Sequence, residues 1–156
     1  MPPADYLKRV REICTRHNVL LFLDEIQTGL GRTGRMFAFE RAGIRPDCVS
    51  LGKALGGGVY PVSAFLADAE VMSVFGPGDH GSTFGGNPLG AAIAMASLDV
   101  VIDEGLAERA EVLGTRLMEQ LRDLVSPHVV EVRGAGLLIG IEIKPESGPA
   151  RVFCEA

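Results

Sequence analysis

The chain has 156 residues, of which 47% are hydrophobic, so it contains enough apolar side chains for a packed core, and one domain is the default expectation. Its net charge of −5 comes from interspersed acidic and basic residues without a Lys/Arg-rich run, which argues against nucleic acid or an anionic membrane as a partner. It shows neither an apolar run of ~18 residues nor a signal peptide at its first residues, so we expect a cytoplasmic protein.

The first half of the chain predicts alternating helices and strands. Asp5 can cap a helix over residues 6–14, and residues 19–23 are apolar at every position, as in a parallel strand covered on both sides. This alternation favours an α/β fold. The remaining predicted elements of this half are a short helix at 36–41, a turn at 45–47, strands at 48–51 and 61–67, and a short helix at 69–75.

The second half begins with a glycine- and proline-rich loop at residues 76–86. Residues 88–102 predict a helix buried on most sides, because apolar residues occur all around it, and a long amphipathic helix follows at 106–124. Residues 129–132 and 137–143 alternate like two antiparallel strands. We place a domain boundary inside the long helix, near residues 104–111. Residues 105–156 would then be the start of a small α+β domain.

Lys53 and Asp24 are the candidates for catalysis. Lys53 follows the predicted strand 48–51, and Asp24 closes the apolar run 29 residues upstream. Open α/β sheets bind ligands at the carboxyl ends of their strands. A lysine that forms a Schiff base with an aldehyde and a carboxylate that pairs with a pyridinium nitrogen are what a pyridoxal-phosphate enzyme needs. A surface lysine and a carboxylate that caps the next turn are the alternatives.

Four separated motifs of the chain, taken in chain order, resemble the class III aminotransferase signature. The resemblance is specific because the motifs must occur at compatible spacings, and it extends from residue 2 to the end of the chain. Residues 51–64 and 77–88 are similar to ornithine aminotransferases in particular, with acetylornithine and 4-aminobutyrate aminotransferases as near neighbours. The motifs are Leu-Phe-Leu-Asp24-Glu-Ile-Gln27-Thr-Gly29, Gly-Arg32-Thr-Gly34, Gly52-Lys53 and Gly-Ser82-Thr83-Phe-Gly-Gly-Asn87-Pro88.

The resemblance implies the fold type I architecture of pyridoxal-phosphate enzymes. Residues 1–104 would be the C-terminal portion of the large cofactor-binding domain, with its mostly parallel sheet, and residues 105–156 the start of the small C-terminal domain. In the family, the segment that holds the cofactor phosphate and the aromatic residue that stacks on its ring lie upstream. The arginine that binds a substrate carboxylate lies further downstream. The chain therefore looks like a middle-to-C-terminal fragment.

The resemblance also implies a role for each site residue. Lys53 would be the Schiff-base lysine and proton shuttle, and Asp24 the partner of the pyridinium nitrogen. Gln27 would contact the ring hydroxyl of pyridoxal 5′-phosphate. Ser82 and Thr83 would contact the cofactor phosphate of the other subunit, across a homodimer. An ordinary loop amide and an ordinary turn are the alternatives for these last three residues.

Several other features predict no site. The GxGxxG match at residues 29–34 is separated from its strand by five residues, and Gly52-Lys53 lacks the flanking residues of a P-loop. We expect Arg32 and Arg133 to be structural. The cysteines lack CxxC spacing and the histidines are scattered, so we expect free thiols and no metal site, at Cys14, Cys48, Cys154, His17, His80 and His128.

The activity implied by the resemblance is transfer of the δ-amino group of ornithine to a 2-oxo acid. It would be carried out by a homodimer, or by this chain paired with a separate N-terminal half. Acetylornithine or another ω-amino acid is the alternative substrate. The alternative from a different class is a non-catalytic fragment or a subunit that only pairs with another chain.

Overall fold

The structure is a computed structural model that describes residues 2–155. Within this range the chain forms two separate sheets and five α-helices, with short 3-10 helices at Ala38–Ala42, Lys53–Gly56 and Pro145–Ser147. In chain order the elements are α1 (Tyr6–Arg16), β1 (Phe22–Asp24), β2 (Cys48–Leu51), β3 (Ala64–Ala67), α2 (Ala69–Met72), α3 (Pro88–Asp103), α4 (Leu106–Asp123), β4 (Val129–Ala135), β5 (Leu138–Ile143) and α5 (Ala150–Glu155).

The first sheet has the order β1-β2-β3, with β1 parallel and β3 antiparallel to β2. The predicted strand at residues 48–51 is confirmed as β2. The predicted strand at 19–23 is wrong in its bounds, because pairing begins only at Phe22, and Val19 and Leu20 are 54% and 58% exposed. Hydrophobicity marked the apolar run, whereas backbone pairing determines the strand. The predicted strand at 61–67 is likewise shortened to Ala64–Ala67.

The N-terminal helix α1 is tied to the sheet by an ion pair. Arg11 Nη1 lies 2.6 Å from Asp47 Oδ2, and the same oxygen accepts the backbone N–H of Leu21 at 2.6 Å. The Leu21 N–H and then the Arg11 guanidinium lower the pKa of Asp47 below its usual range. The predicted capping by Asp5 is wrong. Its side chain makes no capping hydrogen bond and lies 3.6 Å from Arg9 in an ion pair.

Helix α3 supports the segment that follows β2. It begins after Asn87, whose Oδ1 accepts the N–H of Gly90 at 2.7 Å, and Ser97 Oγ donates to Ala54 O at 2.8 Å. The prediction that this helix is buried on most sides is wrong within the described residues, where Met95 and Ile102 are 66% and 61% exposed. The helix is apolar all round, but the described part of the chain covers only one of its faces.

Helix α4 packs on the second sheet, in which β4 and β5 are antiparallel, as the alternation predicted. A Cβ atom added to Gly114 of this helix would overlap the backbone oxygen of Gly136 in the β4–β5 turn, so only glycine permits this approach. Gly105, with φ 58°, separates α3 from α4. The division into residues 1–104 and 105–156 remains a prediction.

Two further features complete the fold. Leu30, Leu51 and Leu55 form a buried cluster beneath the segment that carries Lys53. Arg133 lies between Glu142 and Glu131, whose carboxylates raise the pKa of its guanidinium, which confirms its expected structural role. No helix among residues 2–155 is long and apolar enough to cross a membrane.

Candidate active site

Lys53 is held in an uncommon backbone conformation. It comes two residues after β2 ends and has φ 48°, in the left-handed region that residues other than glycine rarely occupy. This conformation costs ~1–2 kcal/mol, so the surrounding contacts must maintain it. The N–H of Leu55 donates to Gly52 O at 3.1 Å, and Ser97 fixes the carbonyl of Ala54. Such maintained strain is common at functional positions.

Asp24 is the last residue of β1. Because β1 and β2 are parallel, with Asp24 opposite Ser50, Asp24 and Lys53 leave the sheet at the same edge. The Asp24 side chain is exposed, and its Oδ1 accepts the N–H of Ile26 at 2.9 Å. This contact caps the turn after β1, which is the alternative to a role in catalysis. Oδ2 has no donor among residues 2–155, so one carboxylate oxygen is available to a ligand.

Glu25 is a buried residue near the site whose importance the sequence interpretation missed. It is only 3% exposed. Its Oε1 accepts the N–H of Phe39 at 3.0 Å, and its Oε2 accepts the N–H of Ala38 at 3.1 Å and the hydroxyl of Thr28 at 2.5 Å. These donors compensate a buried negative charge that would otherwise be costly. Glu25 thereby closes the loop that carries Gln27.

The loop after Asp24 is also held against the second sheet and α4. Arg41 donates to the carbonyl oxygen of Thr33 from Nε at 3.0 Å and pairs with Glu111 of α4. The N–H of Leu137, in the β4–β5 turn, donates to Arg32 O at 2.9 Å. The segment between β1 and the first 3-10 helix is therefore fixed from both sides. The structural role expected of the Arg32 side chain stays a prediction, because only its backbone makes these contacts.

Lys53 and Gln27 line one cavity of about 990 Å³. Arg32 and Arg109 contribute two further cations to its wall. The rest of the wall is mainly aliphatic and includes Ile26, Leu30, Val101, Leu106, Ala110, Leu113, Leu137 and Leu138. Ligand pockets are typically ~300–1,000 Å³ and apolar with a few polar groups, and this cavity has that character.

The structure does not bring Ser82 and Thr83 to this cavity. Ser82 Oγ accepts the N–H of Gly85 at 3.1 Å, as in an ordinary turn, and Ser82 lines a separate cavity of about 520 Å³ near Tyr60. Thr83 is exposed and lines neither cavity. Within residues 2–155 there is no group of His, Cys, Asp and Glu that could hold a metal ion.

The residues present fit pyridoxal phosphate. Lys53 lines a cavity of suitable size, and Gln27 contributes to the same wall. Asp24 keeps one carboxylate oxygen without a donor in the described chain. Beside it, Ser50 Oγ is buried and lacks a hydrogen-bond partner. A lysine and a carboxylate oxygen without a donor, at one edge of the sheet, are the groups that the aldehyde and the ring nitrogen of this cofactor require.

Comparison with known proteins agrees with this geometry. The family model of aminotransferase class-III matches residues 1–156. Ornithine aminotransferase 2 from Staphylococcus aureus strain Mu50 is 54% identical over the whole chain, and the ornithine aminotransferase from Exiguobacterium sp. is equally similar. The chain spans 39% and 38% of the lengths of these two relatives.

Solved structures show the same fold. The ornithine aminotransferase from Toxoplasma gondii ME49 has a TM-score of 0.92 and 49% identity, covering 94% of this chain and 36% of that one. A second structure from Toxoplasma gondii is described as having partial occupancy of PLP at its active site. The acetylornithine aminotransferase from Elizabethkingia anophelis has a TM-score of 0.93 and 47% identity, covering 99% and 39%.

The fold and site therefore define part of a pyridoxal-phosphate-dependent enzyme of fold type I. The chain belongs to the class III aminotransferase family.

Proposed function

We propose that this chain carries the lysine-bearing segment of an ornithine–2-oxo-acid aminotransferase. The observation that carries the proposal is the position of Lys53. It lines the cavity together with Gln27, at the sheet edge where β1 ends in Asp24. Pyridoxal phosphate, when bound, would supply the electron sink that stabilises negative charge on the substrate carbon bearing the amino group.

Each residue has a defined task in this proposal. Lys53 Nζ would hold the cofactor covalently at its aldehyde carbon and, once displaced by substrate, would move a proton at the substrate carbon. Asp24 Oδ2 would accept a hydrogen bond from the ring nitrogen and keep its proton in place. Gln27 would contact the ring hydroxyl. Ser82 and Thr83, which lie away from this cavity, would reach the phosphate bound by the other subunit of a homodimer.

For the amino donor we propose ornithine. Relatives named ornithine aminotransferase, at 54% identity, favour ornithine as amino donor with a 2-oxo acid as acceptor. The similarity to an acetylornithine aminotransferase makes acetylornithine the second candidate. The two candidate substrates are distinguished by grafting residues 1–156 into two host enzymes, the Staphylococcus aureus ornithine aminotransferase and the Elizabethkingia anophelis acetylornithine aminotransferase. In each graft, these residues replace the matching segment of the host. A preference for ornithine in both grafts supports the proposal, and a preference for acetylornithine in both selects the second candidate. A preference that follows the host shows that this segment does not determine the substrate.

The role of Lys53 is tested by reductive trapping. Residues 1–156 replace the matching segment of the Staphylococcus aureus enzyme, and the graft is incubated with cofactor, reduced with borohydride and mapped by peptide mass spectrometry. We expect the adduct on Lys53 and its loss in Lys53→Ala, with Lys8→Ala and Lys144→Ala as matched controls. A principal adduct on Lys8 or Lys144 contradicts the assignment. A graft that attaches no cofactor favours the non-catalytic alternative.

The role of Asp24 is tested in the same graft. Asp24→Asn keeps the lysine free to attach the cofactor but removes the anion beside the ring nitrogen. We expect the borohydride adduct to remain while turnover falls by at least ~100-fold, as for loss of one preorganised electrostatic contact. Near-normal turnover would mean that Asp24 only caps the turn through Ile26.

A further inference from the structure

The hydroxyl of Ser50, a half-buried residue of β2, is an unexplained polar group in the first sheet. Its Oγ is buried and, alone among the buried side-chain nitrogen and oxygen atoms of residues 2–155, has no hydrogen-bond partner. The backbone carbonyl of Ser50 is satisfied, because it accepts the N–H of Glu25 at 3.0 Å. A buried hydroxyl without a partner is unfavourable, and an apolar residue of similar size would remove that cost.

The neighbours of Ser50 identify the group that this hydroxyl can reach. Asp24 is its register partner on the parallel strand β1, and side chains in register on paired strands project from the same face of a sheet. On the other side, the register partner on β3 is Phe65, whose side chain has no polar atom. The Asp24 carboxylate is therefore the polar group beside Ser50 on this face.

We propose that Ser50 is a positioning residue that donates a hydrogen bond to the Asp24 carboxylate when the cofactor is bound, a proposal that rests on the function proposed above. In the structure, Asp24 Oδ1 is directed to the N–H of Ile26, and Ser50 Oγ is not bonded to either carboxylate oxygen. Rotation of Ser50 about χ1 between staggered rotamers changes the direction of its hydroxyl without moving the strand. The new bond fixes the carboxylate plane so that the other oxygen faces the ring nitrogen.

The experiment separates positioning from structural support. In the Staphylococcus aureus graft, Ser50→Ala removes a hydroxyl that has no hydrogen-bond partner among residues 2–155, so its urea midpoint without cofactor should equal or exceed that of the parent. Its apparent Kd for pyridoxal phosphate, measured by absorbance titration, should rise ~10-fold, the effect of one hydrogen bond to a charged group. Turnover should fall by a similar factor while the KM for ornithine is unchanged.

Two further variants serve as controls. Ser50→Thr keeps the hydroxyl while adding one methyl group and restricting χ1, and its Kd should lie within ~2-fold of the parent value. Ser73→Ala removes an exposed hydroxyl that donates to Glu70 O, remote from the cavity, and should leave the Kd unchanged. In a crystal structure of the cofactor-bound graft, Ser50 Oγ should lie ~2.5–3.0 Å from an Asp24 oxygen.

A failure of the proposal for Ser50 can be distinguished from a failure of the proposed function. If cofactor attaches to Lys53 normally and Ser50→Ala binds it as tightly as the parent, the role of Ser50 is refuted and the proposed function stands. If Ser50→Ala lowers the urea midpoint of the cofactor-free protein, Ser50 is a structural residue and the proposal is overturned. If the unmodified graft attaches no cofactor at Lys53, the proposed function is refuted, and the proposal for Ser50 with it.

Discussion

Replacing Glu25 by alanine should loosen the loop that carries Gln27. The Glu25 carboxylate is buried and accepts hydrogen bonds from Thr28, Ala38 and Phe39. A hydrogen bond to a charged group contributes ~1.5–3 kcal/mol, but water can reach some of the released donors and the contributions are not additive. We therefore expect Glu25→Ala to lower the free energy of unfolding by ~3–5 kcal/mol, which is less than the sum of three such hydrogen bonds.

The measurement combines global and local stability in the Staphylococcus aureus graft. Urea denaturation gives the change in unfolding free energy, and hydrogen exchange reports the amides of Ala38 and Phe39 individually. The matched control is Glu40→Ala, because Glu40 is exposed and accepts one hydrogen bond, from Phe37 N at 3.2 Å. That variant should lose less than ~1 kcal/mol.

The expected role of the Glu25 carboxylate can be contradicted by two measurements, the loss of stability and the exchange of the two amides. A loss below ~1 kcal/mol in Glu25→Ala, with unchanged exchange at Ala38 and Phe39, would show that these amides do not depend on the carboxylate. Glu25→Gln should give an intermediate loss. It keeps one acceptor oxygen but points an NH₂ group at backbone donors.

Two other predictions concern stability. Because the pKa of Asp47 is lowered from 3.8, its contribution is fully present above about pH 4 and is lost as the pH falls through the lowered value. Asp47→Asn should therefore flatten the acid side of a plot of urea midpoint against pH, and an acid loss equal to the parent's would contradict this. Gly114→Ala should cost at least ~3 kcal/mol in urea denaturation, because the new Cβ would overlap Gly136 O. Gly140→Ala, whose Cβ meets only ordinary contacts near 3.9 Å, should be nearly neutral, and equal losses in the two variants would refute the packing argument.

Local patterns in the sequence were sufficient for several elements. The strand at residues 48–51, the amphipathic helix α4 and the antiparallel pair β4–β5 are confirmed, because each is specified by hydrophobic periodicity within its own segment. The extent of β1 and the exposure of α3 were not predictable in the same way. Both depend on which other segments cover an apolar surface, and hydrophobicity alone does not show whether those segments belong to the described chain.

In the candidate site, too, local features were predictable from the sequence and features that depend on tertiary contacts were not. The sequence placed Lys53 and Asp24 at the ends of two strands, because glycines flank Lys53 and Asp24 is the acidic residue that closes an apolar run. It did not predict the left-handed conformation of Lys53, since no local pattern favours φ 48° for a lysine. Nor did it identify Glu25, whose partners Ala38 and Phe39 lie 13 and 14 residues along the chain. Arg41 and Glu111 meet across 70 residues, a contact that only the tertiary structure reveals.

The 156-residue chain on its own is expected not to transaminate ornithine at a measurable rate. Among the described residues, β1 and β3 are the two edges of the first sheet, so each leaves backbone donors and acceptors unpaired. Large apolar side chains surround the β1 edge, with Val19, Leu20 and Phe22 each more than half exposed. Such an edge favours association with other chains over a stable isolated fold.

The expected loss of activity follows from positioning. The chain spans 39% of the Staphylococcus aureus relative. The resemblance implies that the segment that binds the cofactor phosphate and the arginine that binds the substrate carboxylate belong to the remainder. A misplacement of ~1 Å can cost ~100-fold in rate, and here both the cofactor phosphate and the substrate carboxylate would lack their main contacts. A coupled assay of ornithine-dependent semialdehyde formation should give no signal above the Lys53→Ala background, whereas the graft is active. Clear turnover by the purified 156-residue chain would show that Lys53, Asp24 and the cavity that Lys53 and α4 line are a sufficient active site by themselves.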